Sequence, residues 1–473
     1  MKLSVGTVGD PRLLTAVDSQ IGEWSATRGA ELLVQKEPVN PASTAGVDVV
    51  IFPADRMGEL VDARLLAVIP ESEVRPAPPS QSEPATAAGK AEPADPLQFD
   101  DVVPALRDQV SKYGKERVGL PFGGSALVLI IRRDAFDREP NRAAAAKEKI
   151  TLAPPRTWAG LDKLAAFLNG RDWNGDGKSD VGIVLPLGAD AEGVGTATYL
   201  ARAASLGQHR DQYSFLFDSD SMAPRLDSPP FVQALKDLVA LKACGPPGME
   251  TLDTDGARAA FLKGDVAFLI DRAECASQWG SGKPIIVAPL PGSERVYDPS
   301  RSLWEDSAPP NRPSYLPYGG GWLVGVARST NGRQRELALD FAKYLATPET
   351  SSQIRASHAY PMLPVRSSQI GLGLPDPVAA PAVESRPWSD AVGHTLNAER
   401  VLPGLRIPHT SEYLADLDRA RAAAARGEPA DSVLKKAAES WAARTRDLGL
   451  DRQLWHYRRS LNTLVTSPEP PDK

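Results

Sequence analysis

Asp172, Asn174, Asp176 and Asp180 recur along one loop, Arg171-Asp-Trp-Asn-Gly-Asp-Gly-Lys-Ser-Asp180, and each brings a side-chain oxygen. With Gly177 at the turn and the Lys178 carbonyl after it, they fall at positions one, three, five and nine of an EF-hand-type loop. Its glycine lets hard oxygen ligands converge on a cation. Position twelve, where a bidentate acid belongs, is Ile183, so a structural Ca2+ would be held weakly. The plainer alternative is an Asx-turn-rich surface loop with no ion.

A second set of chemically able residues stands at the mouths of apolar stretches. Leu316-Pro-Tyr-Gly-Gly-Gly-Trp-Leu-Val-Gly-Val326 reads as a buried strand entered through three glycines, and Pro121-Phe-Gly-Gly-Ser-Ala-Leu-Val-Leu-Ile-Ile131 repeats the design. Phe261-Leu-Lys-Gly-Asp-Val-Ala-Phe-Leu-Ile-Asp271 ends a third apolar strand in a carboxylate. Glycines and polar groups at several strand mouths suit a cleft in which backbone amides approach a small polar ligand.

Other chemistries are poorly served. His209, His358, His394, His409 and His456 are isolated and form no HExxH, and no serine sits in a GxSxG elbow. Cys244 and Cys275 are too few for a disulfide framework; they pair if the protein is exported, or else are small buried side chains. The net charge of −6, without a basic stripe carrying aromatics, argues against nucleic acid. No apolar run reaches the roughly 18–20 residues that a spanning helix needs.

The elements that must position these residues begin with alternating strand and helix: Leu3–Val8 as strand, Pro11–Arg28 as helix, Glu31–Glu37 and Val47–Pro53 as strands. That order describes βαβ units, with ligands beyond the carboxyl ends of the strands, near Asp10, Asp55 and Arg56. A chain of 473 residues exceeds one core, so two lobes are expected. Residues 71–97, nearly free of large apolar side chains, read as a mobile surface insertion. Helices are expected over 158–168, 231–242, 334–346, 412–426, 431–447 and 451–464, with a frayed end from 467. The amino terminus enters a strand directly, with no leader pattern: either a cytoplasmic protein or one whose leader is absent from this chain.

The ordered set Asp48-Val-Val-Ile-Phe-Pro-Ala-Asp55, Leu120-Pro-Phe-Gly-Gly124, Pro154-Pro-Arg-Thr-Trp-Ala-Gly-Leu161, Ala259–Asp271, and Gly319–Val326 through Tyr344-Leu-Ala-Thr-Pro-Glu349 resembles the extracellular solute-binding proteins of ABC importers, carbohydrate type. The resemblance implies an α/β fold of type II, two lobes of mostly parallel sheets flanked by helices around an interlobe cleft. It puts 1–130 and 283–328 in the first lobe, with Ile285–Val287 and Trp322–Ala327 completing its sheet, and 131–282 and 329–473 in the second. It further implies a monomer that closes on a mono- or oligosaccharide without catalysis, at the periplasmic or cell surface, and hands it to a membrane permease. A sensor or scaffold without a transporter, and a carbohydrate-active hydrolase, are the alternatives.

Sugars are held by flat aromatic faces and by carboxylate, amide and guanidinium groups that satisfy hydroxyls. The resemblance then selects Asp10, Asp55, Arg56, Phe122, Ser125, Asp271, Arg272, Tyr318, Trp322 and Tyr360, with Gly320 supplying a close backbone amide. Asp271 is expected to contact solute and to be dispensable for the fold. Arg272 stands where many relatives have a small residue, which leaves an acidic sugar open. A mobile loop over 297–315 is expected to reach the ligand.

Overall fold

Val49-Val-Ile-Phe52 and Leu127-Val-Leu-Ile-Ile131 are aliphatic or aromatic throughout, and every residue in them is fully buried, as a strand covered on both faces requires. The computed structural model describes residues 2–35, 38–40, 46–75, 95–280, 282–357, 359–374 and 380–463. In chain order its principal strands are β1 (Lys2–Thr7), β2 (Glu31–Val34), β3 (Val49–Pro53), β4 (Leu120–Gly124), β5 (Leu127–Arg132), β6 (Val181–Val184), β7 (Val266–Arg272), β8 (Ile285–Pro289), β9 (Ser293–Asp298), β10 (Leu303–Asn311) and β11 (Gly321–Val326). The first sheet has the order β2-β1-β3-β11-β4 and the second β8-β5-β7-β6.

Three features differ from expectation. The sheets are mixed rather than mostly parallel: β11 runs antiparallel to β3 and β4, and β5 runs antiparallel to β7 and β8. Only β1 with β2 and β3, and β6 with β7, pair in parallel within these two sheets. Ile285–Pro289 pairs with β5 and so completes the second sheet, not the first. The chain passes from one sheet to the other at Ser125–Ala126, between β4 and β5, before Ile131.

Helix α1 (Arg12–Arg28) covers the first sheet and stops at Gly29, whose φ of 61° lets its N–H reach the Ser25 carbonyl at 2.9 Å. The helix at Gly332–Leu345 also lies there, with Phe341 edge-on to Trp24 at 4.9 Å and Asp340 accepting from Trp24 Nε1 at 2.9 Å. Residues just beyond 328 therefore serve the first sheet, contrary to the division at that point. On the second sheet, α2 (Trp158–Leu168) is capped by Thr157 Oγ1, which accepts the Gly160 N–H at 3.1 Å. Next along the chain comes α3 (Val194–Gly207), buried along almost its whole length. Strands β9 and β10 form an antiparallel hairpin where a mobile loop was expected, with Val296 and Asp298 buried on the same face.

The tail folds as α4 (Thr410–Ala425), α5 (Ala430–Leu448) and α6 (Leu450–Ser460). Phe217 stacks on Trp441 at 5.0 Å and meets Tyr413 and Tyr457 edge-on at 5.7 and 5.4 Å, so an aromatic cluster anchors the three helices. Within the expected insertion, Glu71–Val74 is a short helix whose Val74 is fully buried, and Glu71 pairs with buried Arg117 at 3.0 Å. Residues 76–94 and 464–473, including the tail read as frayed, lie outside the described residues. Cys244 and Cys275 are free thiols. Among the described residues, no helix is long and apolar enough to cross a membrane.

Candidate functional site

The turn Pro317–Gly320 sets one wall of the site. Tyr318 and Gly319 have φ of 51° and 67°, and a Cβ on Gly319 would sit 2.5 Å from the Asp55 amide, so only glycine fits there. The turn carries Tyr318 to within 5.5 Å of the Trp322 ring, and Trp322 meets Tyr360 edge-on at 5.1 Å. The arc continues to Arg12, whose guanidinium carbon lies 5.7 Å from the Tyr360 centroid. Asp10 holds that guanidinium through Nε at 2.9 Å and Nη2 at 2.5 Å.

Arg272, at the end of β7, supplies the opposite wall. Its Nη1 donates to Tyr318 Oη at 2.8 Å and its Nη2 to Glu192 Oε2 at 2.5 Å, while Tyr318 Oη donates to the Glu192 carbonyl at 3.1 Å. These bonds span the two sheets, because Tyr318 leads into β11 and Arg272 ends β7. Beside them, Glu274 accepts from Ser125 Oγ and from the Ala126 N–H at the crossing between sheets. Burial, against a smaller opposing pull from Arg272, raises the Glu274 carboxyl to about 7. Burial also lifts the Tyr360 phenol to about 12 and the Tyr318 phenol well above its usual range, so both remain hydroxyl donors at neutral pH.

A chain of ring contacts and hydrogen bonds thus joins Asp10, through Arg12, to Tyr360, Trp322, Tyr318 and Arg272, with Ser125 held by Glu274 beside them. Asp55 lies beneath the glycine turn, half-buried, with its Oδ1 buried and lacking a hydrogen-bond partner; burial raises its carboxyl to about 6. Arg56 turns toward the tail, donating to Glu59 at 2.6 Å and to Ser411 Oγ at 2.7 Å. Phe122 is fully buried in the first sheet's core, and the Gly320 carbonyl accepts the Ser125 N–H at 3.1 Å.

Asp271 points into the protein. Its carboxylate accepts from Arg258 Nε at 2.7 Å, Arg258 Nη2 at 2.8 Å, Trp279 Nε1 at 2.8 Å and the Arg272 N–H at 2.8 Å. It is 1% exposed, so the expectation that the fold can spare it is corrected. Sequence reading missed Arg12, Glu192 and Glu274. A legible signal existed for Glu274, since Asp271-Arg-Ala-Glu274 is a charged run closing an apolar strand.

In the loop at 172–180 the Asp and Asn side-chain oxygens accept loop amides: Asp172 from Gly175 at 2.6 Å and Gly177 at 3.1 Å, Asn174 from Asp176 at 2.9 Å, and Asp176 from Lys178 at 2.9 Å. Asp180 accepts from Asn174 Nδ2 at 2.8 Å and is buried. The oxygen-rich donor set suits a hard cation, and Ile183, fully buried, offers no twelfth-position carboxylate.

The sequence matches the family model for bacterial extracellular solute-binding proteins over residues 33–351, more than half the chain. The chain belongs to that family. Among solved structures, this solute-binding protein is similar to one from Agrobacterium radiobacter K84 in complex with ribitol: 19% identity, 94% of this chain and 98% of that one covered, TM-score 0.65. It is also similar to maltose-bound MalE3 of T. maritima: 18% identity, 94% and 99% covered, TM-score 0.62. A third is the sugar-binding protein MalE of Xanthomonas citri: 16% identity, 94% and 98% covered, TM-score 0.64. No curated protein matches by sequence. The two-lobed α/β fold of these neighbours is the fold of the present solute-binding protein.

Proposed function

We propose that this protein captures a polyhydroxylated solute, a sugar or sugar alcohol, in the crevice between Tyr318, Trp322, Tyr360 and Arg272, and releases it chemically unchanged to an ABC permease. The observation that carries the reading is the aromatic arc joined to the cross-sheet bridge of Arg272, Tyr318 and Glu192. Aromatic faces suit the C–H surface of a sugar, while guanidinium, carboxylate and phenol groups exchange their mutual bonds for hydroxyls. The orphaned Asp55 Oδ1 offers one further acceptor. Non-catalytic use is supported by membership of a family of binding proteins.

Work as a monomer at the periplasmic or cell surface belongs to the same proposal, as does a structural Ca2+ in the 172–180 loop. A thermal-shift screen against sugars, polyols and uronic acids, with and without calcium, tests it. A ligand at about 100 times its Kd stabilises the protein by about 2.7 kcal/mol. Saturable stabilisation by a sugar or polyol is expected, with a separate, smaller rise from calcium that Asp172→Asn removes. Turnover of a glycoside would sink the binding reading, and identical melting in calcium and chelator would sink the ion.

A further inference from the structure

Far from the crevice, α3 ends against the β9–β10 hairpin, and there the fold brings together three potential ligands from three separate elements. His209 follows α3 by two residues, Asp298 closes β9, and Glu305 lies on β10. Asp298 pairs with Leu303 and Val296 with Glu305 across the hairpin, so Asp298 and Glu305 share the face turned toward His209. One ligand atom from each residue lies within 4.8 Å of the others. His209 and Asp298 are 4% and 5% exposed, and Glu305 is half-buried.

We propose that His209, Asp298 and Glu305 form a zinc site that clamps the hairpin onto the end of α3. His209 Nε2 and Glu305 Oε2 stand 3.2 Å apart, near the lower end of the roughly 3.3–3.6 Å edge of a tetrahedron built on Zn–N and Zn–O bonds of about 2.0–2.2 Å. One imidazole and two carboxylates are a donor set for a borderline divalent metal rather than for calcium. Charge points the same way, since two carboxylates converge on a single imidazole in a largely buried place. Arg301, which holds Glu305 Oε1 at 2.6 Å, is 62% exposed and so compensates weakly. Ser300 fixes Asp298 by donating to its Oδ1 from the backbone at 2.8 Å and the hydroxyl at 2.6 Å, the kind of outer-shell support a ligating carboxylate carries. A cavity of about 280 Å³ lined by His209 and Glu305, with Asp306 and Glu399 set against Arg210, Arg312 and Arg400, leaves room for the water that completes four-coordination.

Without metal, His209 Nδ1 accepts the Asp211 N–H at 3.3 Å, which places the imidazole proton on Nε2, toward Glu305. Zinc on Nε2 requires that proton to move to Nδ1, where the Asp211 carboxylate stands 3.7 Å away. A tautomer switch is therefore part of the proposal.

The test titrates the tag-free full chain, stripped by chelator and dialysed, with zinc chloride in a calorimeter, and follows the His209 ring nitrogens by NMR. One zinc per chain is expected, with the ring proton moving from Nε2 to Nδ1 and the melting temperature rising. His209→Ala and Glu305→Gln should each weaken binding about a hundredfold or more, since even outer-shell losses cost about 10–100-fold. Asp172→Asn should leave zinc affinity unchanged, which separates this site from the calcium loop. Circular dichroism verifies folding, and should His209→Ala misfold, Glu305→Gln at the half-buried ligand decides. Absence of saturable zinc binding, or equal affinity in folded Glu305→Gln, overturns the site, and neither outcome bears on solute capture.

Discussion

Asp271 and Tyr360 look alike in sequence, as polar-capable residues near strand or segment ends, yet their surroundings give them opposite roles. Asp271 is saturated by Arg258, Trp279 and a backbone amide, so Asp271→Ala takes the buried Arg258 Nε and Nη2 and the Trp279 N–H from their carboxylate acceptor, leaving Arg258 its contacts with Glu192 and Asp255 through Nη1. A loss of about 3–5 kcal/mol in denaturant unfolding is expected; an unchanged midpoint would mean that the pair is not formed. Tyr360, by contrast, faces Arg12 and Trp322 in the crevice, and Tyr360→Ala should weaken solute binding about tenfold, or about 1.4 kcal/mol. Glu274 carries a pH signature. Its carboxyl is raised from 4.5 to about 7, so between those values the folded chain binds more protons than the unfolded one, and this group's contribution to stability falls as pH rises. Glu274→Gln should therefore melt higher than the natural protein at about pH 8 and lose that advantage by about pH 4. A constant difference across pH would place the titration elsewhere. Which carboxylates are free and which are locked was not legible in the sequence, because their partners lie far off in the chain: Arg272 meets Glu192 across 80 positions.

At the level of elements, hydrophobic runs and turn residues were legible wherever a segment's role is local. β1, β3, β11, α1, α2 and the tail helices fall where their apolar periodicity puts them, within a few residues. Partner choice was not local. Ile285–Pro289 is apolar enough for either sheet, and only the pairing with β5 assigns it. Ser307-Ala-Pro-Pro310 and several charges hide the alternation of the β9–β10 hairpin. The glycine turn was legible and makes a sharp prediction. Gly321 has φ of 136° and a Cβ there would lie 2.2 Å from the Gly123 carbonyl oxygen, so Gly321→Ala should cost at least about 1–3 kcal/mol and separate β11 from β4. Amide exchange at β4 and β11 measures it, and native protection in the variant would contradict the crowding.

Across the whole molecule, the tail does more than complete one half. From α6, His456 and Arg452 reach Asp62 near the first sheet at 2.8 and 2.6 Å, while Arg458 reaches the Ser219 carbonyl at 2.8 Å and Asp220 at 3.0 Å on the other side. The double anchorage of this segment could not be read from an amphipathic pattern alone. Removing residues 450–473 should lower the melting temperature and enlarge the solute-free protein in small-angle scattering, because the ties from α6 to Asp62 and to Ser219 and Asp220 are lost. The two-lobed fold was legible from the ordered strand mouths; the bridge of Arg272, Tyr318 and Glu192 became visible only in three dimensions. Titration calorimetry of the full chain with sugars and polyols, with recovery of the solute afterwards, tests capture most directly. Saturable one-to-one binding, weakened by Tyr360→Ala and returning the solute intact, is the expected result; no saturable binding to any of them, or a solute consumed, would contradict it.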